Sequence, residues 1–188
     1  MVFIFINLFV YNINMNLYII VIFVIIIIIF SLNKIQNHDV TYVESMVDQN
    51  SYLVRELDDK QQAADLLAQL KQRMTTLIEY LYQNRDSPKY IKYKPYIEQL
   101  KSGMQNVIIN ESTADNGYTS YSVNKGEQIV FCLRSKLNNN QLHDINLLMY
   151  VALHEMAHVA CPEVGHTDLF KAIFSILTQT AIQLGLYT

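Results

Sequence analysis

The chain has 188 residues, a formal net charge of −3 and 51% hydrophobic residues, with two cysteines and no tryptophan. That length accommodates one small domain on a stem. An acidic balance with no basic stripe and no zinc ribbon argues against a nucleic-acid partner, and a single pair of cysteines fixes no redox compartment.

The first 33 residues carry no charged side chain, and Leu17 to Phe30 is an unbroken apolar run, extended by Met15 and Leu32 with Asn16 and Ser31 interrupting. At 1.5 Å per residue, 15–32 would reach about 27 Å, close to the hydrocarbon thickness of a bilayer. Residues 1–33 are therefore predicted to be an N-terminal membrane anchor, with lipid as a partner and the protein single-pass. The run lacks a basic leader and a small-x-small site, which disfavours a cleaved signal peptide. A core helix with no polar face would need more surrounding protein than this chain supplies. Met15 is an alternative start. Sidedness stays open: Lys34 votes faintly for a cytoplasmic domain, whereas Asn110-Glu111-Ser112 is a sequon usable only in a lumen.

Residues 34–58 read as a polar juxtamembrane linker, and 59–188 as the folded domain. Ala63, Leu67, Leu70, Met74, Leu77, Ile78 and Leu81 recur at helical spacing, with Asp58 and Asp59 favouring a start and Ser87-Pro88 marking a stop. A second helix is predicted near Pro95, with Ile97 and Leu100 inward and Gly103 closing it. Three short apolar or alternating segments follow at 106–110, 119–123 and 128–134, separated by Asp-Asn-Gly and Asn-Lys-Gly turns. They predict a small antiparallel meander. A last helix over 168–184 repeats Phe170, Ile173, Phe174, Leu177 and Ala181. The whole is α+β.

Between meander and last helix, Asp144 caps a strongly apolar run that leads into His154-Glu155-Met156-Ala157-His158. Two imidazoles four residues apart on a helix share one face and can hold one zinc ion, with the intervening glutamate placed to take a proton from a zinc-bound water. Leu147, Val151, His154 and His158 form one stripe, so both imidazoles are expected to point with the buried face. A catalytic zinc needs a third ligand. Downstream of His158 the donors are Cys161, Glu163, His166 and Asp168, with none from Lys171 onward. His166 is favoured because Pro162 ends the helix and Gly165 lets the chain turn back. Asp168 suits an outer carboxylate orienting a ligand imidazole, or a first-turn residue favoured by the helix dipole. Cys132 and Cys161 either pair or stay as separate thiols.

His154-Glu155-x-x-His158 followed by Gly165-His166-x-x-x-Phe170 resembles the WLM and SprT-like zinc metallopeptidases. Tyr118 to Gly126 and Ala160-Cys-Pro-Glu163 are similar to stretches of small membrane-anchored WLM-like proteins of large nucleocytoplasmic DNA viruses. The likeness spans Tyr93 to Tyr187. The loop from His158 to His166 is longer than in WLM proteins and shorter than in SprT, and no methionine follows Met156 to form the turn beneath a metzincin zinc. The resemblance implies a zincin-like domain over 59–188 in a host or virion membrane. It also implies zinc held by His154, His158 and His166, and peptide-bond hydrolysis by a zinc-activated water with Glu155 as general base. A protein or peptide substrate would lie along the edge strand near 128–134. An oxyanion donor is open among Tyr118, Tyr121 and Tyr187. The alternative is a catalytically inactive zinc-binding protein serving membrane or virion assembly. Removal of DNA-crosslinked proteins, the third reading, conflicts with the net charge. Substrate and oligomeric state are not set by the sequence.

Overall fold

The computed structural model describes residues 21–28, 40–113, 120–135, 137 and 140–188, and divides the chain into two units, 1–39 and Val40–Thr188. In the first, residues 21–28 are helical. Among the described residues no helix is long and apolar enough to cross a membrane. The expected transmembrane helix over 15–32 and the single-pass localisation are corrected accordingly; the rest of that run lies outside the described residues.

The second unit begins with a hairpin, β1 (Val40–Glu44) and β2 (Ser51–Arg55), paired antiparallel from Val40↔Arg55 to Glu44↔Ser51. The reading of 34–58 as a linker thus gives way to a folded hairpin. Its inward contribution is small, chiefly Tyr52 and Val54 on alternate residues of β2, and the apolar residues on both faces of these strands hide the period. At the tip, Asp48 accepts from the backbone N–H of Asn50 at 3.1 Å and from the Tyr52 hydroxyl at 2.6 Å.

Helix α1 (Lys60–Gln83) buries the stripe Ala63, Leu67, Leu70, Met74, Leu77, Ile78 and Leu81. A 3-10 turn at Ile91–Tyr93 leads into α2 (Lys94–Gly103), which has Pro95 in its first turn and buries Ile97 and Leu100. Strands β3 (Ile108–Glu111), β4 (Ser120–Val123) and β5 (Gln128–Phe131) form a sheet of order β3-β5-β4, with β3 parallel and β4 antiparallel to β5. The antiparallel meander is therefore corrected to a mixed sheet. Ile129, Val130 and Phe131 are buried in succession, which suits a strand covered on both faces, whereas serine-bearing β4 takes an edge.

Helix α3 (Ile145–Ala160) lies at the centre, against α1, α2 and α4 (Asp168–Gln183), and touches β4. The β4–β5 turn is pressed onto this assembly. Gly126 has φ +107°, and a Cβ there would sit 2.8 Å from the Gly103 carbonyl oxygen and 3.1 Å from Val159. Glycine meets both demands.

Among the described residues, one cluster of ion-paired side chains is buried. Arg134, 4% exposed, donates from Nε to Glu111 at 2.6 Å and from Nη1 to Asp59 at 2.7 Å, while the Arg55 backbone N–H reaches the other Glu111 oxygen at 2.7 Å. The sequon falls inside this region, with Asn110 in β3 and Glu111 and Ser112 buried. Cys132 and Cys161 are both free thiols, so they do not pair.

Candidate metal centre

The active helix starts where its cap dictates. The Asp144 carboxylate accepts from the Asn146 N–H at 2.7 Å, and no proline or glycine interrupts 145–160. Its buried face carries Leu148, Ala152, Met156 and Val159, one residue round from the expected stripe. Leu147 is 49% exposed and Val151, His154 and His158 are half-buried, so the reading of the imidazoles as core-facing is corrected. They stand at the boundary between core and solvent, which leaves their ring nitrogens accessible.

Beyond Ala160 the chain turns extended at Cys161, and Gly165, at φ +87°, reverses it. Thr167 then caps α4, its hydroxyl accepting from the Phe170 N–H at 3.3 Å. This short excursion brings exposed His166 back over α3. The Nε2 atoms of His158 and His166 each lie 3.2 Å from Nε2 of His154. Among the described residues these three form the group able to hold a metal ion, their ligand atoms all within 4.8 Å of one another. The two separations from His154 fit the chemistry: two nitrogens on a tetrahedral zinc at 2.0–2.1 Å stand about 3.3 Å apart. Of the other donors considered, Cys161 is buried at the helix end, Glu163 is exposed, and Asp168 is fully exposed and paired with Lys171 at 3.1 Å. Asp168 is thus a first-turn residue of α4 and orients no ligand imidazole.

Aromatic rings back the site. Phe170, 3% exposed, lies 4.4, 5.2 and 4.8 Å from the rings of His158, His154 and His166, measured between centroids. Phe174 stacks on Phe170 and meets Tyr150 edge-on at 5.6 Å. Burial, then the neighbouring imidazoles, pushes His154 and His158 below the usual histidine range, which favours the neutral, metal-ligating form. Glu155 is 8% exposed. Burial raises its pKa, partly offset by the backbone N–H of Ser122 on β4, which donates to its carboxylate.

Of the proposed oxyanion donors, Tyr118 lies outside the described residues, Tyr121 is half-buried in β4, and the Tyr187 ring is 6.4 Å from that of Tyr150. Sequence reasoning missed Tyr150, although it stands four residues before His154 on the same face. It also missed Ser122, for which the sequence carries no signal, because the contact joins an edge strand to a helix 33 positions away.

Two curated proteins share most of the chain. "Uncharacterized protein R325" of Acanthamoeba polyphaga mimivirus is 45% identical over 158 residues, 84% of this chain and 79% of that protein. "Uncharacterized protein 136R" of Invertebrate iridescent virus 6 is 33% identical over 132 residues, 70% of this chain and 69% of that protein. The chain belongs to this family of viral proteins. No family profile matches it. Among solved structures it is similar to Wss1 from Saccharomyces cerevisiae, at TM-score 0.47 and 19% identity over 68% of this chain and 85% of that one. A mutant Wss1 from S. pombe gives TM-score 0.44 and 18% identity over 68% of this chain and 92% of that one.

The chain thus brings together His154 and His158, both leaning to the neutral form, the imidazole of His166, a buried carboxyl at Glu155 and an edge strand alongside. That set is suited to binding a divalent cation and to moving a proton beside it.

Proposed function

We propose that this protein is a zinc-dependent metallopeptidase of the WLM-like kind, probed best through His154, His158, His166 and Glu155. The observation that carries the reading is the approach of three Nε2 atoms, those of His158 and His166 each 3.2 Å from that of His154, beside a buried glutamate, Glu155, held by the edge strand. When bound, zinc would polarise a scissile carbonyl and lower the pKa of a water towards 7.

The residues of the chain supply the rest. Glu155, with its pKa raised by burial, takes the proton of the attacking water and returns it to the leaving amine. The Ser122 N–H fixes the orientation of that carboxylate. The substrate strand is relocated from the sequence reading: β5 is central, flanked by β3 and β4, so an extended peptide would add to β4. Phe170 and Phe174 back the histidine rings with apolar surface and hold them in place.

The test is full-length Glu155→Gln, measured for zinc by elemental analysis and for cleavage of an unfolded protein. Retained zinc with cleavage down by about 100-fold or more supports the reading. Equal cleavage by both proteins removes Glu155 from the chemistry, and a metal-free wild type removes the centre altogether. Zinc bound with no cleavage by either protein would leave a structural metal module.

A further inference from the structure

Apolar surface continues from the histidines towards the start of α3. Tyr150 precedes His154 by four residues, about 6 Å along the helix axis, and Leu147 precedes Tyr150 by three, so the three share one face. That face is open: Tyr150 is 45% exposed and Leu147 49%. From α4, Phe174 joins this surface to the metal centre, its ring centroid 6.0 Å from that of His154 and 5.6 Å, edge-on, from that of Tyr150. Tyr187 closes the far side, 6.4 Å from Tyr150.

The turn that carries Tyr187 is fastened. Gly185, at φ +68°, reverses the chain after α4, the Leu186 carbonyl accepts from Arg73 Nη1 at 2.7 Å, and the Asn146 amide donates to the Thr188 hydroxyl at 2.8 Å. Tyr150 is therefore clasped by two rings and still keeps nearly half of its surface open. A single exposed apolar side chain is ordinary, but an aromatic fixed by two others beside ligating imidazoles is a preformed apolar wall. Charge sharpens its character. No Asp, Glu, Lys or Arg occurs in 145–153 or 172–188, the two stretches that build the wall. A charged side chain laid against it would lose water and find no counter-ion there, whereas leucine or phenylalanine would bury apolar surface.

We propose that Tyr150, flanked by Leu147, Phe174 and Tyr187, forms the specificity subsite of the metal centre and selects peptides with a bulky apolar residue next to the scissile bond. The inference rests on the metallopeptidase reading and adds its substrate class. The ring makes the selection, so the Tyr150 hydroxyl is dispensable.

The test compares zinc-loaded full-length proteins on fluorogenic peptides that differ in one residue, Leu, Phe, Ala, Lys or Glu, placed on either side of the scissile bond. Binding of peptide hydroxamates with the same side chains is measured in parallel. Wild type should give a kcat/KM for Leu or Phe about 10-fold or more above that for Ala, with Lys and Glu lower still. Tyr150→Phe should keep this order, whereas Tyr150→Ala should keep zinc and compress the Leu-to-Ala ratio to about 3-fold or less. Leu147→Glu puts an acid in the first turn of α3, where the helix dipole favours it, and should raise Lys relative to Leu by about 10-fold. Equal rates for all side chains, or a preference that survives Tyr150→Ala, would overturn the subsite and leave the metallopeptidase reading standing. Should zinc-loaded wild type cleave none of the peptides, that reading fails and the hydroxamates decide the subsite: tighter leucine binding that Tyr150→Ala abolishes upholds it, and equal affinities overturn it. A wild type that binds no zinc overturns both. Should Tyr150→Ala fail to fold, an unchanged preference in Leu147→Glu would overturn the subsite.

Discussion

The segment from β5 through α3 carries two polar clusters that solve burial in opposite ways. At the end of β5, Arg134 is 4% exposed and tied to Glu111 and Asp59, with the carboxylates arriving from β3 and from the start of α1. At the end of α3, His154 and His158 are half-exposed, and their ring nitrogens face His166 and each other. The first cluster satisfies charge with charge inside the protein and acts as a fastener. The second gathers ring nitrogens of three histidines at one point, an arrangement suited to holding a cation. Polar groups that complete one another hold a fold together; polar groups of one kind that converge select a ligand.

The largest expected effect lies at the fastener. Glu111→Ala leaves a guanidinium buried with half its partners and should destabilise the protein by about 3–5 kcal/mol. Urea unfolding monitored by circular dichroism would read it, and a loss below about 1 kcal/mol would mean that the cluster is no more structural than the histidines. His158→Ala should behave in reverse. Zinc affinity should fall by about 100-fold or more, while metal-free stability changes by about 1 kcal/mol or less, as for other half-exposed positions. Competition with a chromogenic chelator and the same urea titration separate the two quantities.

Gly126→Ala examines how the hairpin that delivers Ser122 is seated. A Cβ 2.8 Å from the Gly103 oxygen at a positive φ should cost about 1–3 kcal/mol. If the hairpin positions Glu155, cleavage should fall further than stability explains at a temperature where the variant is fully folded. Asp144→Ala removes the cap of α3 and should cost about 1 kcal/mol, visible as a lower urea midpoint with unchanged slope. The smallest effect concerns acid. The Arg134 hydrogen bond and charge hold Asp59 below its ordinary 3.8, so its contribution is present above that value and is lost as pH falls through the folded-state pKa. Asp59→Asn should therefore flatten the decline in stability below about pH 4, leaving the histidine cleft unaffected. An unchanged acid slope would show that the Arg134 pairing does not set it.

The helices were legible because each repeats its apolar residues at a helical period and carries local punctuation. Asp144 caps α3 as read, and Pro95 opens α2. The hairpin at 40–55 was not legible, since strands of five residues with apolar side chains on both faces show no clean alternation. The order of the sheet was hidden for a different reason. Three short strands with two turn signals are compatible with a meander, and only the double burial of β5 places it in the middle. The apolar N-terminal run gave the strongest hydropathy signal in the chain, and among the described residues no helix is long and apolar enough to cross a membrane.

By itself the sequence determined the apolar stripe of α1, the Asp144 cap of α3 and the four-residue spacing that puts His154 and His158 on one side of that helix, because each depends on neighbours within a turn. Tertiary structure decided the rest: that His166 folds back over that helix, that Ser122 holds Glu155, and that Arg134 finds carboxylates 23 and 75 positions away. Such contacts join segments whose separation along the chain carries no local signature, and only the packing of the sheet against α1 and α3 brings them within hydrogen-bonding distance.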